Sequence, residues 1–482
     1  MLDLGFFVID LSFFSRSTGI VIWDIFISVG WFLLAVVLSF AVVELYKYYK
    51  ALRYTSDWKH VVLAIDVPAV NIQTPKAVEQ LFSHIFSVMD PPTIASVFRR
   101  GFMQNTFSFE IISIEGYIQF LVRTLDKYRD VVEAAVYAQY AEAEITEVED
   151  YVKSVPDRFP NDTHDIWAAD YLLTEDQAYP IRTYEEFEHS ISKDTIFKDP
   201  MGTILESFSR IGVGEQVWFQ IIIEPIEDKK WKEDAIKKIK ELIGEKVAKK
   251  TSVLNSFSER VSGSSKVIMD ELSWQLNSKE GESPSSSNEK DDGPKNEILY
   301  LTPGQKKILE AMEDKIRKIG FVTKIRLIYV AEKKVFNPSR AVNSFTGALN
   351  QFNIPSSNSI LPKYITSVNY FFKEQRKIYR KNILMRAYKT RDKDMGRKPF
   401  VLNIEELATL WHFPMSHVKT PLLQKSENKA TEPPSGLPVG AIVDDVVEDS
   451  DYLENTKSEL EKKPKYTTDS GLVYDDDNEG LA

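Results

Sequence analysis

The chain has 482 residues, 43% of them apolar and 27% charged, the composition of a folding protein longer than a usual single domain. Cysteine is absent, which excludes disulfide scaffolds, thiolate metal sites and cysteine nucleophiles. The net charge of −11 is concentrated at one end: residues 441–482 hold 13 Asp and Glu against 4 Lys, a net of −9, so the other 440 residues sum to only −2 and an anionic partner is not excluded.

The apolar stretch 4–14, interrupted by Asp10, is too short to span a bilayer and suits an outer interface. Residues 25–43 (IFISVGWFLLAVVLSFAVV) then run 19 positions without a charge, enough to cross the ~30 Å hydrocarbon layer, and the span is expected over 20–45. Lys47, Lys50 and Arg53 follow it, whereas Arg16 stands nearly alone before it. The positive-inside rule therefore puts residues 1–19 outside and the body in the cytoplasm, in a single-pass protein of the inner (plasma) membrane. A signal peptide wants a basic start, and MLDLGFFVID does not supply one, so the segment reads as a retained anchor.

Residues 60–151 form the first α/β unit. HVVLAIDV (60–67) is a strand, and Thr74-Pro75 opens a helix with the stripe Val78, Leu81, Phe82, Ile85, Phe86, Met89. FSFEIISI (107–114) and YIQFLVRT (117–124) form a hairpin about Glu115-Gly116. Asp126 caps a helix striped by Tyr128, Val131, Val132, Ala135 and Val136, and a weaker strand follows near 143–149. The order βαββαβ is that of a ferredoxin-like unit, and the fold class expected is α+β with two such units.

The second unit is expected over 165–355, with strands at 166–173, 216–226 and 321–330, helices between them, and a disordered Ser/Pro/Gly-rich insertion at 276–297. No GxxxxGK[ST] phosphate loop is present, and Gly212-Val213-Gly214 reads as a tight turn. The six histidines make no HExxH or related spacing, and no carboxylate dyad or nucleophile elbow stands out. No catalytic residue, metal ligand or cofactor site is expected, and a hydrolase with a hidden site ranks below two binding readings.

A basic helical region and the EELATLWHFP segment are expected over 356–438. Residues 373–398 carry 11 Lys and Arg against three acids, interleaved with aromatics. Lys373, Arg376, Lys377, Arg380, Lys381, Arg386 and Lys389 are candidates for contact with anionic lipid, each cation contributing on the order of 1 kcal/mol, or with a nucleic-acid backbone. A solvated helix face, paired with the acidic tail at 439–482, weighs equally; that tail reads as disordered. Asn403 and Glu406 are spaced as a capping box, with Leu407, Leu410 and Trp411 on the apolar side. The segment reads first as a packing element; second to that, Trp411, His412 and Phe413 are candidates for docking a partner.

FVLNIEELATLWHFP (400–414), followed by Val418-Lys419-Thr420-Pro421 and the prolines up to Pro438, resembles the segment preceding the motor domain in HerA/FtsK-like ATPases of the type IV secretion and conjugation class, especially those of candidate-phylum bacteria. AVYAQYAEAEITEVEDY (135–151) and DPMGTILESFSRIGVGEQVWFQIIIEP (199–225) resemble the non-motor region of the same proteins. In those ATPases a nucleotide-binding motor follows, whereas here Leu437-Pro438 runs into the acidic tail. The resemblance implies a non-enzymatic, membrane-anchored scaffold or accessory subunit of a DNA-translocating or secretion-like assembly. The partners expected on this reading are the bilayer and a motor ATPase, with nucleic acid and a second copy of the chain, as a homo-oligomer, as further partners.

Overall fold

A computed structural model describes residues 2–3, 8–9, 18–68, 72–187, 199–243 and 301–415. The expected insertion at 276–297, the acidic tail at 439–482 and most of 1–19 lie outside the described residues. Two short strands, β1 (Leu2–Asp3) and β2 (Val8–Ile9), pair antiparallel. Helix α1 (Thr18–Thr55) follows. At 1.5 Å per residue its 38 residues measure about 57 Å, so the helix is long and apolar enough to cross a membrane and still project beyond it. Trp31, Phe32, Leu34, Val37, Leu38 and Phe40 stand exposed along it.

Among the described residues, every longer strand belongs to one antiparallel sheet. The first half supplies β3 (His60–Asp66), α2 (Pro75–Phe86), β4 (Phe107–Ile114), β5 (Tyr117–Leu125), α3 (Arg129–Tyr137) and β6 (Glu144–Val148). The second supplies β7 (His164–Leu173), α4 (Met201–Ser209), β8 (Glu215–Pro225), α5 (Asp228–Leu242), α6 (Pro303–Arg317), β9 (Gly320–Glu332), α7 (Pro338–Leu349) and β10 (Ile360–Ile365). Helix α8 (Lys373–Thr390), β11 (Phe400–Asn403) and α9 (Ile404–Leu410) complete the body.

The sheet order is β10-β7-β9-β8-β4-β5-β3-β6, with β11 pairing the first residues of β9. Within each half the strands lie in the same succession, fourth, first, third, second, and the halves meet through their second strands, β4 and β8, in register from Phe107↔Ile223 to Ile114↔Gln216. Where β4 and β5 are joined by Glu115-Gly116, both at positive φ as a two-residue hairpin turn requires, β8 and β9 are separated by α5 and α6.

Strand parity assigns the two faces. Phe107, Phe109 and Ile111 of β4, Val217, Phe219 and Ile221 of β8, and Ile325, Leu327 and Tyr329 of β9 join side chains of α2, α3, α4, α7 and α9 in one apolar core. The opposite parity, with Ile112, Leu121, Trp218, Ile328 and Val330, packs against Leu384, Met385 and Tyr388 of α8 and against Val152, Val155 and Phe159.

Two details differ from the sequence reading. Asp126 opens a 3-10 turn, 126–128, that stands between it and α3, so Tyr128 and not Asp126 precedes the helix. The second half extends past residue 355 to β10, whose Pro362 conceals it; as an edge strand bulged between Pro362 and Tyr364 it tolerates a proline.

Candidate functional site

Four adjacent strands each place one polar residue at the same level of the α8 face. Glu110 of β4 is opposite Gln220 of β8, Gln220 opposite Arg326 of β9, and Arg326 opposite Asp170 of β7. All four are buried. Gln220 Nε2 donates to Glu110 Oε1 at 2.9 Å, and Arg326 Nε donates to Asp170 Oδ1 at 3.1 Å. Buried polar groups need partners, and a helix end leaves its last carbonyls without them. The two needs meet here: Arg326 Nη1 donates to the Ala387 carbonyl at 3.2 Å and Gln220 Nε2 to the Tyr388 carbonyl at 3.3 Å, so the row of side chains caps the C-terminal turn of α8.

Arg391 follows in the left-handed region, with φ 53°, which aims its guanidinium back under the helix. It reaches Glu110 through Nε at 3.0 Å and through Nη2 at 3.2 Å, and Asp150 through Nη1 at 2.6 Å and Nη2 at 2.8 Å. Burial alone would raise the Glu110 carboxyl; the Arg391 guanidinium, with donors from Ser108 and Gln220, outweighs it and holds the group below the ordinary carboxylate value. Tyr151 donates to Glu110 Oε2 and shares a hydrogen bond with Tyr388. Burial pushes both phenols far up, so they remain protonated donors rather than nucleophiles.

On the other side Asp170 accepts from Lys324 Nζ at 2.7 Å and from the Arg397 N–H at 2.9 Å. Gly396, at φ 92°, passes so close that a Cβ there would collide with the Asp170 carboxylate. Lys393 pairs with Glu224 at 3.4 Å, and burial raises that carboxyl to about 7 against the pull of Lys393.

The sequence-predicted cations divide along α8. Lys381 is buried and paired with Asp165, and Lys389 donates to Asp157 and to the Val155 carbonyl at 2.5 Å each. Arg386 is exposed. Arg380 donates to the Ile365 carbonyl and the Tyr370 hydroxyl and stacks on Tyr364. At the N-terminal end Lys373 and Arg376 are exposed and Lys377 half-buried, beside Phe371 at 87% exposure and Phe372, and Arg376 stacks on Tyr370. The expected continuous basic surface is therefore corrected: its second half is an internal fastening, and the first is a free cationic and aromatic tip.

Trp411, His412 and Phe413 are buried, so none is a surface for docking in this arrangement. Trp411 packs edge-on to Phe109 at 4.9 Å and Phe120 at 5.7 Å, and Phe413 stands 5.0 Å from Tyr140. His412 Nε2 is 2.8 Å from Asp199 Oδ1 and its Nδ1 is 2.8 Å from the Ala408 carbonyl. Asp199 also accepts from the N–H groups of Met201 and Met415. The capping box of Asn403 and Glu406 is formed. Its Glu406 additionally receives the Ile181 N–H and the buried ammonium of Lys315, fixing α9 to α6 in the wall of a cleft of about 600 Å³.

Among the described residues, no three His, Asp or Glu side chains converge as a metal-ligand set. Sequence reasoning missed Glu110, Asp170, Gln220, Lys324 and Arg326, although each interrupts an apolar strand string, and the interruptions fall on one parity. That signal needs the strand register to be read.

No curated protein matches the chain. Residues 54–426, from the last turn of α1 past the end of the described body, match the family described as Domain of unknown function (DUF8128). With more than three quarters of its length inside that match, the chain belongs to the DUF8128 family.

Proposed function

We propose that this chain is a non-enzymatic, single-pass anchor or accessory subunit of a type IV secretion-like or DNA-translocating ATPase assembly. On this reading its N-terminus is outside the inner membrane, its body is in the cytoplasm, and each half of its sheet is one ferredoxin-like unit. The repeated strand succession supports the last point.

One observation carries the functional reading. The three strings that resemble the non-motor region of such ATPases are far apart in sequence but meet around the last described residues: Tyr140 packs on Phe413, and Asp199 holds His412 and the Met415 N–H. In proteins of that resemblance a motor follows these strings, so a body that gathers them in one place suits a subunit that works beside a motor.

The test is mild-detergent affinity purification from native membranes with mass spectrometry, comparing the full chain with one truncated after Leu437. Recovery of a motor ATPase is expected, and loss on truncation assigns the contact to the tail. A full chain that retains its membrane association but brings down no ATPase sinks the reading.

The free tip of α8 favours a second reading, a membrane-tethered nucleic-acid binder, since Lys373, Arg376 and Lys377 beside Phe371 and Phe372 combine backbone attraction with stacking surface. Its binding would weaken with salt.

A further inference from the structure

We infer that the connection between α2 and β4, residues 91–103, is a second membrane contact, a wedge lying in the anionic headgroup layer next to the anchor. The inference rests on the reading of α1 as a spanning helix and adds a contact made by the folded body.

Helix α1 serves as a ruler. Its charge-free run ends at Val43, and Lys47 and Lys50 lie about 6 and 10 Å further along the axis. The polar layer outside the hydrocarbon is roughly 5–8 Å thick on each side. At that depth the body already touches the helix. Lys47 Nζ lies 5.8 Å from the Phe98 ring centroid, and Gly101, at φ 73°, sits so close that a Cβ would strike the Lys50 carbonyl. Tyr54 packs on Phe102 at 6.0 Å, one turn lower. The 91–103 segment is thus fixed along α1 from headgroup depth, at Lys47 and Phe98, to below it, at Tyr54 and Phe102, so that it enters the headgroup layer at its Phe98 end.

The segment is built to hold its tip. Thr93 and Ser96 bond each other's backbone N–H groups with their hydroxyls, at 3.0 and 3.1 Å, and the π-helical turn Ser96–Arg100 closes on Gly101 with the Phe102 N–H bonded to the Ser96 carbonyl. This rigid turn presents Ile94 at 81% exposure, with Phe98 and Met103 also exposed. Exposed apolar area on an ordered turn is unfavourable in water and is offset by transfer into lipid. Arg99 and Arg100 are exposed beside it and join Lys47, Lys50 and Arg53. The acids near this ring are Glu44, paired with Lys47 at 2.5 Å, and the exposed Asp57 and Asp90. Apolar tip, basic collar and depth together fit a leaflet containing anionic lipid.

The absence of cysteine makes the test direct. The full chain carrying Ile94→Cys, labelled with an environment-sensitive nitrobenzoxadiazole probe, is reconstituted in phosphatidylcholine vesicles with and without phosphatidylglycerol; a second protein carries the probe at Lys363→Cys on β10. The probe at 94 is expected to emit at shorter wavelength and to be quenched by headgroup spin-labelled lipid, more strongly with phosphatidylglycerol, while the probe at 363 keeps its aqueous emission. Arg99→Glu with Arg100→Glu, both at exposed positions, should remove the phosphatidylglycerol increment. Aqueous, unquenched emission from position 94 in a chain that resists alkaline carbonate extraction overturns the wedge and leaves the anchor standing. Extraction of the chain by carbonate overturns the anchor, and the wedge with it.

Discussion

The two faces of the sheet are closed by different physics. On one, five helices bury Phe82, Phe109, Phe120, Phe208, Phe219, Phe345 and Trp411, and rings meet edge-on or tilted at about 5 Å. On the other, a single helix is fastened through a row of charged and amide side chains and its own terminal carbonyls. Apolar burial is non-directional and tolerates sliding, whereas Arg391 between Glu110 and Asp150 has one satisfactory position. The ring face supplies most of the burial, and the charged face sets where α8 and the segment 391–397 must lie.

The sharpest way to break this contrast is to remove one large side chain from each face. Phe109→Ala should cost about 3–5 kcal/mol, the usual range for an aromatic deleted from a core, with little dependence on salt or pH in urea unfolding. Arg391→Met should cost a similar ~3–5 kcal/mol, because Glu110 is left buried without its partner. The two then part: adding Glu110→Leu to Arg391→Met should restore much of the loss, since removing both charges also removes the penalty of an unpaired one. No second substitution near Phe109 should do so without refilling its volume. If the double variant is no more stable than Arg391→Met, the ionic account of the α8 face is wrong.

A smaller effect separates the faces by pH. The Glu110 carboxyl is held below its ordinary value, so its contribution is fully present above the unfolded-state value of 4.5 and is lost as pH falls through and below it. Glu224 acts with the opposite sign. Burial raises it to about 7 from 4.5, the folded state binds the proton more tightly, and stability from this group declines as pH rises across that window. Glu224→Gln should therefore flatten the loss between pH 4.5 and 7, by at most about 3 kcal/mol from a shift of this size. An unchanged pH profile would remove Glu224 as a titrating group of this face.

The same contrast explains what could be read from the sequence. Elements of the ring face announce themselves: the stripe of α2, the 107–124 hairpin and the Asn403–Glu406 capping box follow local periodicity and appear as expected, with Leu407 and Leu410 fully buried. The charged face hides. Lys381, Lys389 and Arg391 look like solvated cations because a helix's own pattern cannot tell that the surface beneath it carries Glu110, Asp157 and Asp165. Those acids lie more than 200 residues earlier, Glu110 in β4, Asp165 in β7 and Asp157 in the connection between β6 and β7, and they come under α8 only once the strands are placed side by side. Trp411 shows the converse: an aromatic after a helix end can be read as packing or as a docking surface, and Phe109 and Phe120, from strands about 300 residues earlier, decide for packing by enclosing it.

The smallest expected effect on stability concerns the free end of α8, where the comparison is between cations of one helix. Arg376→Ala, at an exposed position, should shift unfolding by no more than about 0.5 kcal/mol, and Lys377→Ala, at a half-buried one, by no more than about 1 kcal/mol, in contrast to Arg391 four turns on. If the tip tracks a nucleic-acid backbone, each substitution should lower the slope of log affinity against log salt by about 1, measured by fluorescence anisotropy with a single-stranded oligonucleotide on the full chain. Phe371→Ala should reduce affinity without altering that slope, because stacking carries no counterion release. Equal affinity and slope for all three variants would remove the tip from nucleic-acid binding and leave the fastening of the sheet, by the C-terminal half, as the role of α8.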